Sequence, residues 1–239
     1  MSRPGTLYLV PTGLGGDVRE VLPESTMNRL RMLRSFIVEN AKSARQFLKS
    51  AGYPHPLQKV RMQTLDEHTP DAMLPELLAP VLAGEDCGLL SEAGCPAVAD
   101  PGALLVRLAH AQGVRVIPLV GPSAVLLALM ASGLNGQRFA FHGYLPVDAE
   151  QRRKTVKELE SDSGRNDRTQ IFIETPYRNN ATFRGLLDAC RDDTLICVAT
   201  DISTSTEAIR TCPVKTWRKA PPELHRRPTV FLLYAFQKR

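Results

Sequence analysis

The chain has 239 residues, 43% of them hydrophobic, and a formal net charge of +5; this is enough apolar material for one large core or two ordinary ones, and it excludes a disordered chain. Five cysteines without a Cys-x-x-Cys pair argue against a disulfide framework or structural zinc and imply a reducing compartment. The opening MSRPGTLYLVPTG has an apolar run too short for a signal peptide and no transit-peptide pattern, so a cytoplasmic location is expected.

Strands then alternate with helices, the pattern of parallel α/β sheets. Residues 6–10 and 35–38 read as strands, and 41–50 as a helix that stops at Gly52 and Pro54. A strand at 60–65, a helix at 71–82 and a strand at 87–90 follow.

The next segment, residues 91–102 (SEAGCPAVADPG), holds four Gly or Pro and two carboxylates in a dozen residues. Gly94 and Gly102 permit backbone angles closed to other residues while Pro96 and Pro101 fix theirs, so the loop is pre-shaped. It lies at the carboxyl end of a strand, where an α/β sheet binds ligands.

A helix at 104–112 and a strand at 115–119 complete the first set, and Gly121-Pro122 is a natural seam. Residues 116–134 carry no charge, the length of a membrane span. Pro118, Gly121, Pro122 and Ser123 interrupt the run, so a strand, a turn and a helix at 124–132 capped by Ser123 explain it better, and no membrane partner is expected.

The alternation restarts with a strand at 138–143, a helix at 149–160, a polar loop at 161–168 (SDSGRNDR), a strand at 169–174, a helix at 180–190 and strands at 195–199 and 229–236. The expected organisation is an α/β domain over 1–120 and a second over 121–239, with separate sheets and a ligand in the cleft between them. Lys and Arg balance Asp and Glu at 12 each in residues 1–120, against 18 and 13 in the remainder. Arg152, Arg153, Lys154 and Lys157 open one helix, and Arg218, Lys219, Arg226, Arg227, Lys238 and Arg239 gather toward the end. Such a second half could meet an anion or RNA, although no RNA-binding motif with stacking aromatics accompanies it.

Seven blocks in order resemble one family: TLYLVPTG (6–13), FIVENAKSARQFL (36–48), SEAGCPAVADPG (91–102), PLVGPSAVLLALMASGL (118–134), FAFHGYLP (139–146), FIETPYR (172–178) and RPTVFLLY (227–234). Together they resemble the tetrapyrrole (corrin and porphyrin) methylase superfamily, in the branch related to bacterial ribosomal RNA small-subunit methyltransferase I. The resemblance implies a two-lobed homodimeric enzyme using S-adenosyl-L-methionine, bound between two consecutive α/β sheets. Carried over by motif, the cofactor contacts fall on Pro11, Thr12, Gly13 and Leu14, on Ser91, Glu92, Ala93, Gly94, Cys95 and Val98, and on Ser123 and Ala124. Tyr144, Glu174, Ala199, Pro228 and Thr229 are further candidates in the second half.

A sulfonium-bound methyl is already activated, so the enzyme has to place an acceptor lone pair in line at about 3–3.5 Å, with no metal. A hydroxyl acceptor also needs a base, and Glu39, Glu92, Asp100, His142 and Asp201 stand near expected strand ends; for Glu92 and Asp100 a helix cap or a cofactor contact is the better reading. Glu39 is the single residue assigned as catalytic. The acceptor-side motifs depart from the RNA-modifying branch, since Glu39-Asn40-Ala41-Lys42 replaces an acidic pair followed by Thr-Arg, and Thr200-Asp201-Ile202-Ser203-Thr204 replaces Arg-Glu-Leu-Thr-Lys. RNA, through ribose 2'-O-methylation of ribosomal RNA, is the acceptor this branch implies. A tetrapyrrole or other small molecule, and a non-catalytic cofactor-binding relative, stay open as alternatives.

Overall fold

A computed structural model describes residues 3–237, so Lys238 and Arg239 of the basic tail lie outside the described residues. The chain divides into two compact units, 1–123 and 124–239.

The first unit contains β1 (Thr6–Val10), α1 (Val18–Val21), α2 (Glu24–Met32), β2 (Ser35–Val38), α3 (Ala41–Ser50), β3 (Arg61–Thr64), α4 (Leu74–Leu82), β4 (Cys87–Leu90), α5 (Ala103–Ala111) and β5 (Arg115–Pro118). Its sheet is parallel throughout in the order β3-β2-β4-β1-β5. Every residue of β2 and β4 is buried. Neighbouring residues feed opposite faces: Tyr8, Phe36, Val38 and Leu90 enter one core with α2 and α3 residues, and Leu7, Ile37 and Leu89 enter another with α4 and α5 residues. A sheet covered on both sides therefore reads as continuous apolar runs in sequence. Gly88 sits in β4 because an added Cβ would stand 2.8 Å from the fully buried Phe36 ring. Gly88→Ala should cost about 1–3 kcal/mol through overpacking, seen as a lower urea midpoint with unchanged slope.

The second unit contains α6 (Ala124–Ser132), β6 (Phe139–Tyr144), α7 (Ala149–Asn166), β7 (Thr169–Ile173), α8 (Asn179–Ala189), β8 (Leu195–Thr200), β9 (Ala208–Pro213), α9 (Val214–Trp217) and β10 (Thr229–Tyr234). Its sheet, separate from the first, runs β6-β7-β10-β8-β9. Phe172, Phe183, Phe231 and Trp217 form its aromatic centre, with ring centroids 5.5–6.2 Å apart in neighbouring pairs.

Several expectations need correction here. The second sheet is mixed: only β6 and β7 pair in parallel, while β10 runs antiparallel to both β7 and β8, and β8 to β9. A short connection joins β8 to β9, which permits an antiparallel pair and not a parallel one. The polar stretch 161–168 is helical as far as Asn166 and closes on Asp167 in the left-handed region (φ 49°). Tertiary bonds override its poor helix propensity: Ser163 Oγ donates to the Arg168 carbonyl and accepts from the Ala235 N–H at 2.9 Å, while the Asp162 carboxylate receives Arg168, Asn166 and Gln170. The expected strand at 60–65 shortens to β3 after a 3₁₀ turn at Leu57–Lys59, and the helix at 71–82 opens as 3₁₀ before α4. α1, α2, β9 and α9 were not expected. The uncharged run at 116–134 resolves into β5, a turn and α6, and among the described residues no helix is long and apolar enough to cross a membrane.

Candidate functional site

From β1 the chain moves to β2 and β3 on one side of the sheet, and from β4 it moves to β5 on the other. The carboxyl ends of β1 and β4 are therefore where connections diverge, the position at which an open parallel sheet leaves a crevice.

Three loops meet at that edge. The Thr12 N–H, just after β1, donates to the Gly94 carbonyl at 2.9 Å, and the buried Ser91 Oγ donates to the same oxygen at 2.9 Å. Cys95 Sγ donates to the Pro122 carbonyl at 3.4 Å, tying in the segment after β5. Close packing demands glycine twice. At Gly121 a Cβ would lie 2.4 Å from Pro11 Cβ, and Gly94 has φ +75° with Leu14 Cδ2 only 3.2 Å from where its Cβ would be. Within 91–102, Ala97 (φ 65°) and Ala99 (φ 58°) also hold left-handed backbone, each at a cost of about 1–3 kcal/mol. Strain kept in one loop marks a segment whose shape is set by its surroundings.

The structure thus brings Pro11, Thr12, Gly13, Leu14, Ser91, Glu92, Ala93, Gly94, Cys95 and Val98 together on loops at one sheet edge, with Ser123 following the seam. The second-unit candidates differ among themselves. Ala124 opens α6, and Tyr144 ends β6 and is half exposed. Ala199 is buried in β8 between Val230 and Ile209, and Pro228 accepts the Asp201 N–H ahead of the buried Thr229. The Glu174 carboxylate is already engaged by Arg178 at 2.6 Å, the Thr175 N–H and Thr182 Oγ1. Burial would raise its pKa, but those bonds outweigh it and hold it below the usual carboxylate range. Its side chain is a structural bracket at the start of α8.

Of the five carboxylates and imidazoles weighed as bases, two are occupied elsewhere. Asp201 holds Arg227 at 2.8 Å and Thr206 Oγ1, and His142 Nε2 lies 2.6 Å from Gln170 Oε1. Glu39, directly after β2, is different: its Oε2 is buried with no hydrogen-bond partner among the described residues. Burial first, and the Glu92 charge second, push its pKa up. Asp100 Oδ2 is likewise buried and unpartnered, and burial with the Glu39 and Glu92 charges lifts its pKa to about 7. Asp100 does not cap α5, whose N-cap is Gly102 without a side-chain bond.

Sequence reading missed Ser43, whose Oγ lies 3.0 Å from Glu92 Oε1 and 3.0 Å from the Asn40 carbonyl. It reads in sequence as an ordinary first-turn serine of α3, and nothing marks its reach to a loop 49 residues away. Thr12 Oγ1, on a residue only 3% exposed, is a third buried, unpartnered polar atom on these strand-end loops. These atoms and the exposed Glu92 fit a ligand rich in hydroxyl and amino donors, as an adenosyl amino acid is. Among the described residues no group of three or more His, Cys, Asp or Glu is disposed to hold a metal ion.

Residues 6–217 match the family model of the Tetrapyrrole (Corrin/Porphyrin) Methylases, and the chain belongs to that family. Among curated proteins it is similar to "Ribosomal RNA small subunit methyltransferase I" of Xylella fastidiosa strain Temecula1, 37% identical over 74% of this chain and 61% of that protein. The proteins of the same name from Pseudomonas aeruginosa and Escherichia coli O157:H7 are each 31% identical over 88% of this chain and 71% and 70% of theirs. The alignments thus span about three fifths to seven tenths of these relatives. Among solved structures, the methyltransferase CobJ superposes with a TM-score of 0.65 at 19% identity over 96% of this chain and 94% of that one. Uroporphyrin-III C-methyltransferase from Thermus thermophilus, complexed with S-adenosyl homocysteine, gives 0.61 at 18% over 96% and 97%. At those identities the likeness is one of fold.

Proposed function

We propose that the protein is an S-adenosylmethionine-dependent methyltransferase of small-subunit ribosomal RNA, acting on a ribose 2'-hydroxyl, in the cytoplasm and as a homodimer. The observation that carries the cofactor part is the tying of three strand-end loops through Gly94 and Cys95, with the buried Thr12 hydroxyl left unsatisfied beside them in the chain. The acceptor follows from the names of the curated relatives.

Pro11–Leu14 and the loop around Gly94 would hold the cofactor, offering backbone groups and small side chains that permit close approach. Bound there, the cofactor supplies a methyl group already activated on a sulfonium. The protein's task is then to orient the acceptor and take its proton. Glu39 is the base: it stands at the same sheet edge, has a free oxygen, and burial raises its pKa, which strengthens it as a proton acceptor. Glu92 contributes charge beside it, which favours the proton's arrival.

The test is label transfer from the radiolabelled cofactor to small-subunit RNA or particles, with other cell fractions run beside them. Label should enter RNA as 2'-O-methylribose. Label confined to small molecules or protein would remove the RNA acceptor, and no transfer to any fraction would remove the activity.

A further inference from the structure

Extending α7 to Asn166 builds a surface in the second unit that a loop there would not. Lys157, Ser161, Gly164 and Arg165 share one face of the helix by their spacing, and with Arg191 and Phe236 they line a cavity of about 590 Å³. The same helix end contributes Asn166, and the chain just beyond it Arg168, to a second cavity of about 650 Å³ with Arg138 and Phe139. Each cavity therefore carries cations and one aromatic ring, and both rings are open to solvent: Phe236 is 49% and Phe139 41% exposed.

The neighbouring acids are largely spent. Glu160 is buried and accepts the Arg191 N–H and Thr194 Oγ1, Asp162 holds Arg168, Asp193 lies 3.3 Å from Arg191 Nε, and Asp167 accepts the Tyr234 hydroxyl at 2.6 Å. Lys157, Arg165 and Arg138 make no salt bridge among the described residues, whereas Arg191 is held by Asp193 and by the Phe236 carbonyl. Aromatic faces beside unpaired cations are what an unpaired nucleic-acid strand requires, since phosphates need charge and unstacked bases need a platform. In sequence the combination is invisible because Phe139, Arg165 and Phe236 are far apart.

We infer that the face around the C-terminal turns of α7 is where a single-stranded or looped segment of the RNA acceptor lies, its phosphates on Lys157, Arg165 and Arg138 and its bases against Phe236 and Phe139. This rests on the RNA acceptor proposed above. The more evident run Arg152, Arg153 and Lys154 is a poorer candidate, because the Arg152 guanidinium is tied to the Pro146 and Val147 carbonyls.

The experiment compares wild type with Lys157→Ala/Arg165→Ala, with Phe236→Ala, and with Arg184→Ala/Lys215→Ala, a control removing the same charge from exposed sites on α8 and α9. The readouts are KM for small-subunit RNA, kcat, RNA affinity against salt, and affinity for S-adenosylhomocysteine. The first double variant should raise KM about tenfold and flatten the salt slope by about 1.4, and Phe236→Ala should raise KM about fivefold or more. kcat and S-adenosylhomocysteine affinity should hold, and the control should move KM by no more than about twofold. If wild type methylates RNA while the α7 and Phe236 variants match it, or the control loses as much as they do, this surface is not the RNA site. If wild type neither binds nor methylates RNA, the acceptor reading itself fails and takes the surface with it.

Discussion

Gly94→Val is expected to lower affinity for S-adenosylmethionine at least about tenfold, roughly 1.4 kcal/mol, while the protein remains folded. The reason is local. Gly94 has φ +75°, where a β-branched residue is a genuine outlier. Rotation to a negative φ would swing its carbonyl away from the Thr12 N–H and Ser91 Oγ that it now joins. Any valine that kept the present backbone would press on Leu14 Cδ2, 3.2 Å from the Cβ position, and on the Pro122 carbonyl at 3.5 Å. Either way the loops after β1 and β4 lose their fastening at the Gly94 carbonyl. Titration calorimetry measures the affinity, and circular dichroism shows that the fold survives. Replacing the exposed Arg153 and Lys154 by Ala should leave cofactor affinity as in wild type; the reverse pattern would place the cofactor elsewhere.

Asp100→Asn should stabilise the protein above neutral pH and do little in acid. The Asp100 pKa is lifted from 3.8 to about 7 by burial and by the Glu39 and Glu92 charges. The folded state thus binds this proton more tightly than the unfolded chain does. Its stabilising contribution is complete below about pH 4 and is lost as pH rises through about 7. Above that the folded protein carries a third negative charge in the cluster, which Asn removes. The whole shift would correspond to about 4 kcal/mol, and partial exposure to solvent reduces this to about 1–2. Thermal unfolding should show Tm raised by about 2–8 °C at pH 8 and nearly unchanged at pH 4. An equal gain at both, or a loss at pH 8, would mean that the three carboxyl groups are not coupled in this way.

What was legible in the sequence follows from how local the signals are. β1, β2, α3, β4 and α6 fall on the expected residues because their signals are local: Asn40 caps α3 with bonds to the Lys42 and Ser43 N–H groups, and β4 is apolar throughout. The left-handed glycines 94 and 102 were also readable, since residue type alone suggests them. Other features depend on partners far along the chain. The last turns of α7 are made of residues that cap or turn elsewhere, and are helical because Ser163 and Asp162 bond to Ala235, Arg168 and Gln170. β9 is a partly exposed edge strand, specified mainly by its pairing with β8. The antiparallel entry of β10 between β7 and β8 leaves no mark in a strand buried at five of its six positions.

The same division runs through the site. The loop residues were found by motif, and Glu39 by its place after a strand. The Ser43–Glu92 contact and the proton-retaining Asp100 arise only when the ends of β2 and β4 meet. The basic run at the start of α7 was visible in sequence, yet Arg152 spends its charge on the Pro146 and Val147 carbonyls, just as Arg218 spends its on Asp192 and the Leu187 and Cys190 carbonyls.

The central claim is that the loops joined at Gly94 hold the methyl donor, and calorimetric titration of the pure protein with S-adenosylmethionine and with S-adenosylhomocysteine tests it most directly. The account predicts saturable heat for both ligands at millimolar concentration or below, lost or weakened at least about tenfold in Gly94→Val. No heat for either ligand with the folded wild-type protein, or equal affinity in wild type and Gly94→Val, would contradict it.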